Sequence, residues 1–280
     1  MNIEIAIKKA CQELKNNQIG SALLDSEILL STVIKKDRKF ILLNPDKELN
    51  QKDQDNFKDL ILKRSKGKPI AYLTGTKSFW KYDFKVNEKV LIPRPDTEIV
   101  IEQVLKIYKN KDYLNFLEFG IGSGCIALSI LKEKKSFLGT GVDLSQDCID
   151  ISKYNANKLG VSNRVKLIKS DVDNLNFRKY DLIISNPPYI KKLDLKKLNR
   201  EVINYEPKLA LDGGLEGLSV IRKVIKKSSE LIKTHGKLIL EIGYDQKELV
   251  KKMLKENNFY VNKTFKDLAK NDRCIISTKK

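Results

Sequence analysis

From residue 112 onward, apolar runs of strand length alternate with amphipathic runs of helix length, and this alternation limits the folds open to the chain. "YLNFLEFG" reads as a strand and "GCIALSILKEKK" as a helix. "FLGTGVDL" and "SQDCIDISKYNANKLG" repeat the pair, and "RVKLIKSD" and "YDLIISN" add two strands. A helix at "GLSVIRKVIKKSSELI" leads into the strand "KLILEIG", and "DQKELVKKMLKEN" is a further helix. The last runs, "FYVNKTFKD" and "DRCIISTK", suit an antiparallel pair. Such alternation predicts an α/β domain, a mainly parallel Rossmann-like sheet with helices on both faces. Upstream, residues 1–70 show only helical periodicity and predict a small helical bundle suited to docking a partner. Ser21, Asp25 and, further on, Asp96 and Thr97 are placed as helix-starting residues. Residues 71–92, with "SFWKYDFKVN" alternating at period two, predict a β-hairpin connector. The sheet domain then covers residues 93–280.

In an open sheet of this kind, chemistry gathers at the carboxyl ends of the strands. The first such end carries Gly120-Ile121-Gly122-Ser123-Gly124, where glycines let backbone approach a ligand at a helix start. The spacing is G-x-G-x-G rather than the dinucleotide G-x-G-x-x-G. Asp143 ends the second strand, 19 residues after Gly124, where a carboxylate accepts from ribose hydroxyls. Asp171 ends the third and is placed to meet a base amine. No phosphate-gripping loop is present, and Glu118 would repel a pyrophosphate while suiting an ammonium group. An adenosine carrying a cationic amino acid fits these features, and S-adenosylmethionine is the cofactor expected.

The fourth strand stops at Asn186-Pro187-Pro188-Tyr189. Consecutive prolines lack N–H donors and cannot continue a sheet interior. The Asn186 side-chain carbonyl and the Pro187 backbone carbonyl are two rigid acceptors for the N–H groups of a planar amine or amide. Tyr189 adds a flat face for stacking. Holding both hydrogens of a poorly nucleophilic amide aims its nitrogen at an electrophile.

Composition narrows the setting. The net charge is +18, but only eight residues are arginine, so the excess is lysine. That fits a polyanion-binding surface or general compositional bias, and direct nucleic-acid binding stays open. The four cysteines form no CxxC pair and there is one histidine, so no metal site is expected. No apolar run approaches the roughly 20 residues of a membrane span, and the N-terminus does not read as a secretory signal. A cytoplasmic, monomeric protein is expected.

The segments "PIAYLTGTKSFW", "VLIPRPDTE", "LEFGIGSGCIALSI", "SNPPYI", "YEPKLALDGGLEGL" and "DLAKNDR" together resemble the peptide-chain release factor glutamine methyltransferase family, the HemK/PrmC proteins. The resemblance implies a seven-stranded class I methyltransferase sheet and transfer of methyl from S-adenosylmethionine to the glutamine of the Gly-Gly-Gln motif in class-1 release factors. It implies cofactor contacts at Gly120–Gly124 and Asp143, an adenine contact at Asp171-Val172, and a glutamine clamp at Asn186 to Tyr189. Val172 stands where the family often carries a bulky aromatic. Ile121 and Ser123 replace common threonines. Two other substrates use the same kind of clamp: a ribosomal-protein glutamine and a nucleic-acid adenine.

Overall fold

The computed structural model describes residues 1–176 and 179–280. They form two compact units. One comprises Met1–Thr76 and Asn199–Tyr205; the other comprises Lys77–Leu198 and Glu206–Lys280.

The first unit is helical. Helix α1 (Ile3–Asn16) starts where the Asn2 side chain accepts from the Ile5 N–H at 3.0 Å. It buries Ile3, Ala6, Ala10 and Leu14, a spacing of three and four. Helices α2 (Ala22–Ile34), α3 (Arg38–Leu43) and α4 (Gln51–Ser65) complete the bundle, with Leu29, Leu30, Phe57 and Ile61 in its core. Asp37 and Asn50 cap α3 and α4 through their side chains. Asp25, expected as a helix-starting residue, lies in the first turn of α2, buried, where it accepts from the Ser21 hydroxyl at 2.8 Å and from Arg64 Nε at 2.7 Å. Arg64 also pairs through Nη2 with Glu201 at 2.7 Å, and the Tyr205 hydroxyl donates to the Lys66 carbonyl. Residues 199–205 therefore belong to this bundle despite their distance in the chain. Helix α5 (Ile70–Thr74) ends at Gly75, whose φ of +71° favours glycine.

Strands β1 (Thr76–Phe79) and β2 (Tyr82–Lys85) form a hairpin. It is shorter than the period-two pattern suggested, because α5 occupies most of residues 71–75. Helix α6 (Glu98–Ile107) follows a single turn at Pro95–Thr97. Then come β3 (Asn115–Phe119), α7 (Cys125–Glu133), β4 (Leu138–Asp143), α8 (Gln146–Lys158), β5 (Val165–Lys169) and β6 (Tyr180–Ser185). Helix α9 (Arg200–Tyr205) precedes α10 (Ser219–Leu231), β7 (Ile232–Glu241), α11 (Lys247–Glu256), β8 (Phe259–Lys266) and β9 (Asp272–Lys279).

Seven strands make one sheet in the order β5-β4-β3-β6-β7-β9-β8. All pairs are parallel except those of β9, which runs antiparallel to β7 and β8. The expected C-terminal antiparallel pair is present. Adjacent strand residues enter different cores: Phe116, Leu182 and Ile184 lie in one, and Leu117 and Ile183 in the other, all with no exposed surface. Burial on both faces is why these strands read as unbroken apolar runs. The chain proceeds from β3 to one side and from β6 to the other. The order thus reverses between β3 and β6, where Phe119 pairs with Ser185 and a crevice opens.

Candidate active site

Beyond β3 the chain turns through Gly120, Gly122 and Gly124, with φ of +71°, +54° and +81°. Only glycine adopts these angles without strain. Side chains of α8 hold the loop from beneath: the Ser152 hydroxyl donates to the Gly122 carbonyl at 2.8 Å, and Asn155 Nδ2 to the Ser123 carbonyl at 2.9 Å. Ile121 and Ser123 are each 2% exposed, so their side chains face inward and the loop offers backbone to the crevice. A Cβ added at Gly122 would meet no atom of the described residues within 4 Å.

Glu118 lies under this loop and is 1% exposed. Its Oε2 accepts from the Ala127 N–H in the first turn of α7 at 2.8 Å. Burial, reinforced by the nearby negative charge of Asp143, raises its pKa well above the usual carboxylate range. Burial likewise pushes the Cys125 thiol up, with Glu118 adding to the rise.

Asp143, at the end of β4, accepts the Gly122 N–H on Oδ2 at 2.9 Å and the Ser145 N–H on Oδ1 at 3.0 Å. Each oxygen keeps a second lone pair. At the next strand end the Ser170 N–H donates to the Asp143 carbonyl, and the Asp171 carboxylate accepts from the Asp173 N–H at 3.0 Å. Val172 is half-buried against the second core. Gly120 comes close to the Asn186 carbonyl, so the glycine loop and the Asn-Pro-Pro-Tyr turn share one crevice.

Asn186 Nδ2 donates to Thr97 Oγ1 at 3.1 Å. Its Oδ1 is the amide's acceptor. Thr97, expected only to start α6, makes no cap bond; its hydroxyl is spent on Asn186 instead. The Tyr189 hydroxyl donates to Glu241 Oε1 at 3.3 Å and accepts from Arg273 Nη1 at 3.3 Å. The Arg273 guanidinium also stands 5.9 Å from the Tyr189 ring centre. Gln246 Nε2 holds the Tyr189 carbonyl at 2.9 Å. Arg94, in the Pro-Arg-Pro turn, pairs with buried Glu206 at 2.5 Å.

The structure brings every site residue named from sequence to one sheet edge. Sequence reasoning missed Thr97, Ser152, Asn155, Glu241, Gln246 and Arg273, which hold the turn and loop from behind. Thr97 and Arg273 fall inside the segments "VLIPRPDTE" and "DLAKNDR" without a role marked for them there, and the sequence signal of the others is polarity inside otherwise apolar or helical segments.

The fold is shared with solved structures. A methyltransferase from Pyrococcus furiosus superposes with a TM-score of 0.54 at 19% identity, covering 80% of this chain and 98% of that one. A ribosomal protein L11 methylase from Lactobacillus delbrueckii subsp. bulgaricus gives 0.52 at 16% identity, covering 69% and 82%. The sheet, its reversal point and the glycine loop are those of a class I methyltransferase. Family models described as PrmC N-terminal domain and Methyltransferase small domain match residues 6–75 and 97–216. The release factor glutamine methyltransferase of Clostridium acetobutylicum is 37% identical over 282 residues, covering 100% of this chain and 99% of the relative. The bifunctional methyltransferase of Rickettsia conorii is 35% identical over 300 residues; they cover 98% of this chain but only 57% of that protein, so the chain spans little more than half of it. The chain belongs to the release factor glutamine methyltransferase family.

Proposed function

We propose that the protein transfers a methyl group from S-adenosylmethionine to the side-chain amide nitrogen of the glutamine in the Gly-Gly-Gln motif of class-1 release factors. The observation that carries this reading is the Asn186 carboxamide. One of its N–H groups donates to Thr97, which leaves Oδ1 as the acceptor of this side chain at the strand end beside the glycine loop. An acceptor there suits a substrate that brings N–H donors.

The residues present fit the cofactor. The left-handed glycine loop leaves room for a Cβ at Gly122 among the described residues, and Asp143 at its rim has lone pairs to spare for ribose hydroxyls. Asp171 and Val172 would flank the adenine, and Glu118 lies beneath the loop as the carboxyl group nearest the amino-acid end. When bound, S-adenosylmethionine supplies an electrophilic methyl on its sulfonium.

The chain supplies geometry. Asn186 Oδ1 and the Pro187 carbonyl take the two N–H groups of the substrate amide and fix its plane. Tyr189 gives that plane a surface. As the nitrogen attacks, positive charge grows on it, and the two fixed oxygens stabilise that charge without reorganising. No base is required before transfer: the C–S bond would break as the N–C bond forms, S-adenosylhomocysteine would leave, and the methylated amide would then shed its extra proton to solvent. The helical unit serves in this reading to dock the release factor. The enzyme acts as a monomer in the cytoplasm, where its substrate works.

The test is transfer of labelled methyl to a release factor, its Gln→Ala variant in the Gly-Gly-Gln loop, ribosomal proteins and DNA. Labelling of the intact release factor alone is expected, and Asn186→Ala should abolish it while cofactor binding persists. Equal labelling of the Gln→Ala variant, or labelling of ribosomal protein or DNA instead, overturns the reading.

A further inference from the structure

One carboxylate in the sheet unit has no part in the proposed transfer. Glu241 ends β7, beside the strand that carries the Asn-Pro-Pro-Tyr turn, and the pair Ser185–Leu240 sets it just behind that turn. It is 1% exposed. Its Oε1 accepts from Tyr189, while its buried Oε2 has no hydrogen-bond partner among the described residues. A buried carboxylate oxygen left unmatched is costly and calls for a reason.

An ion pair does not supply one. Arg273 is committed to Asp267 at 2.9 Å, with Asp96 at 3.9 Å. The second polar neighbour of Glu241 is the Thr97 hydroxyl, which favours its charged form. The oxygen of that hydroxyl already accepts from Asn186 Nδ2, so its proton is free to point at the carboxylate. The carboxylate is thus hydrogen-bonded to Tyr189 on one oxygen and has the Thr97 hydroxyl, which accepts from Asn186, as its neighbour on the other side.

We propose that Glu241 is a positioning residue whose carboxylate, acting through the hydroxyls of Thr97 and Tyr189, fixes the orientation of the Asn186 carboxamide and the Tyr189 ring. The inference rests on the reading of that turn as an amide clamp. Ionised, Glu241 accepts both hydroxyl protons, and Thr97 then offers a lone pair to the Asn186 NH2 group. Protonated, Glu241 becomes a donor and competes with Asn186 for that lone pair, so the amide loses its fixed direction. Burial raises the Glu241 pKa to about 7 against the opposing pull of Thr97, Arg273 and Tyr189, with Asp96 adding to the rise. Cys125 and Cys274 face it too, and burial keeps both thiols neutral. Turnover should accordingly rise with pH through neutrality and fall below it.

The experiment uses the whole protein and reads the Asn186 side-chain NH2 signals by NMR, assigned through their loss in Asn186→Asp. These signals are expected to shift with pH near neutrality in the natural protein and to stand still in Glu241→Gln. Thr97→Ser should keep the titration and Thr97→Val should lose it, and this pair decides the matter if Glu241→Gln fails to fold. In methyl transfer, Glu241→Gln and Thr97→Val should lower kcat by on the order of ten- to a hundredfold, flatten its pH profile and spare cofactor affinity. Signals in the natural protein that ignore pH, or a Thr97→Val protein that still titrates, overturn the inference. The NMR readout needs no substrate. A protein that labels no release factor yet shows the titration therefore defeats the proposed function and leaves this inference standing.

Discussion

Glu118 and Glu241 are both 1% exposed, and burial lifts the pKa of each. Glu118 is matched by a helix N–H, whereas Glu241 faces hydroxyls and one unmatched oxygen. Stability should record the difference. Between its ordinary value of 4.5 and its folded value of about 7, Glu241 holds a proton in the folded protein that the unfolded chain has released. The folded state binds more protons across this window, so stability from this group falls as pH rises through it and levels off above. The loss amounts to on the order of 3 kcal/mol, and Glu241→Gln should remove that slope from denaturant melts taken between acid and neutral pH. An unchanged slope would show that Glu241 is ionised throughout. Asn186 and Asp143 were legible because each closes a recognisable strand. Glu241 and Thr97 were not. Thr97 meets Asn186 across 89 positions, Glu241 meets Tyr189 across 52, and each has a plausible local role that hides the distant one.

At the scale of elements, the Asn-Pro-Pro-Tyr turn is rigid partly because others brace it. Gln246, at the start of α11, donates to the carbonyls of Tyr189 and Gly217 and accepts the Gly243 N–H. Gly217 has φ of +73°, and a Cβ there would lie 2.4 Å from the Tyr189 carbonyl oxygen. Gly217→Ala should push the turn out of place, lowering kcat/KM for methyl transfer and stability by about 1–3 kcal/mol. Natural kinetics in that variant would mean that the turn is not held from this side. The alternation of strands and helices was readable because the strands are buried on both faces. The hairpin was overextended because alternating aromatics do not mark where pairing begins. Helix α9 was missed because "REVINY" buries none of its residues and has too few for a period to emerge.

For the molecule as a whole, the helical bundle depends on a charge cluster inside it. Arg64 is 4% exposed and serves both Asp25 and Glu201. Removing it strands a buried carboxylate, so Arg64→Ala should cost about 3–5 kcal/mol, seen as faster hydrogen exchange in α2 and α4. Exchange at the natural rate would mean that the cluster contributes little. The composition that suggested a polyanion partner was silent about this cluster, since +18 is a sum and says nothing of which charges are enclosed. Because Glu201 arrives from the far side of the sheet's sequence, the chain passes between the two units three times, after residues 76, 198 and 205. The units are therefore not interchangeable cassettes. A chimera that borrows only residues 1–76 from a relative would leave the short return segment behind, and the grafted half would inherit an arginine whose counter-ion evolved in another polypeptide.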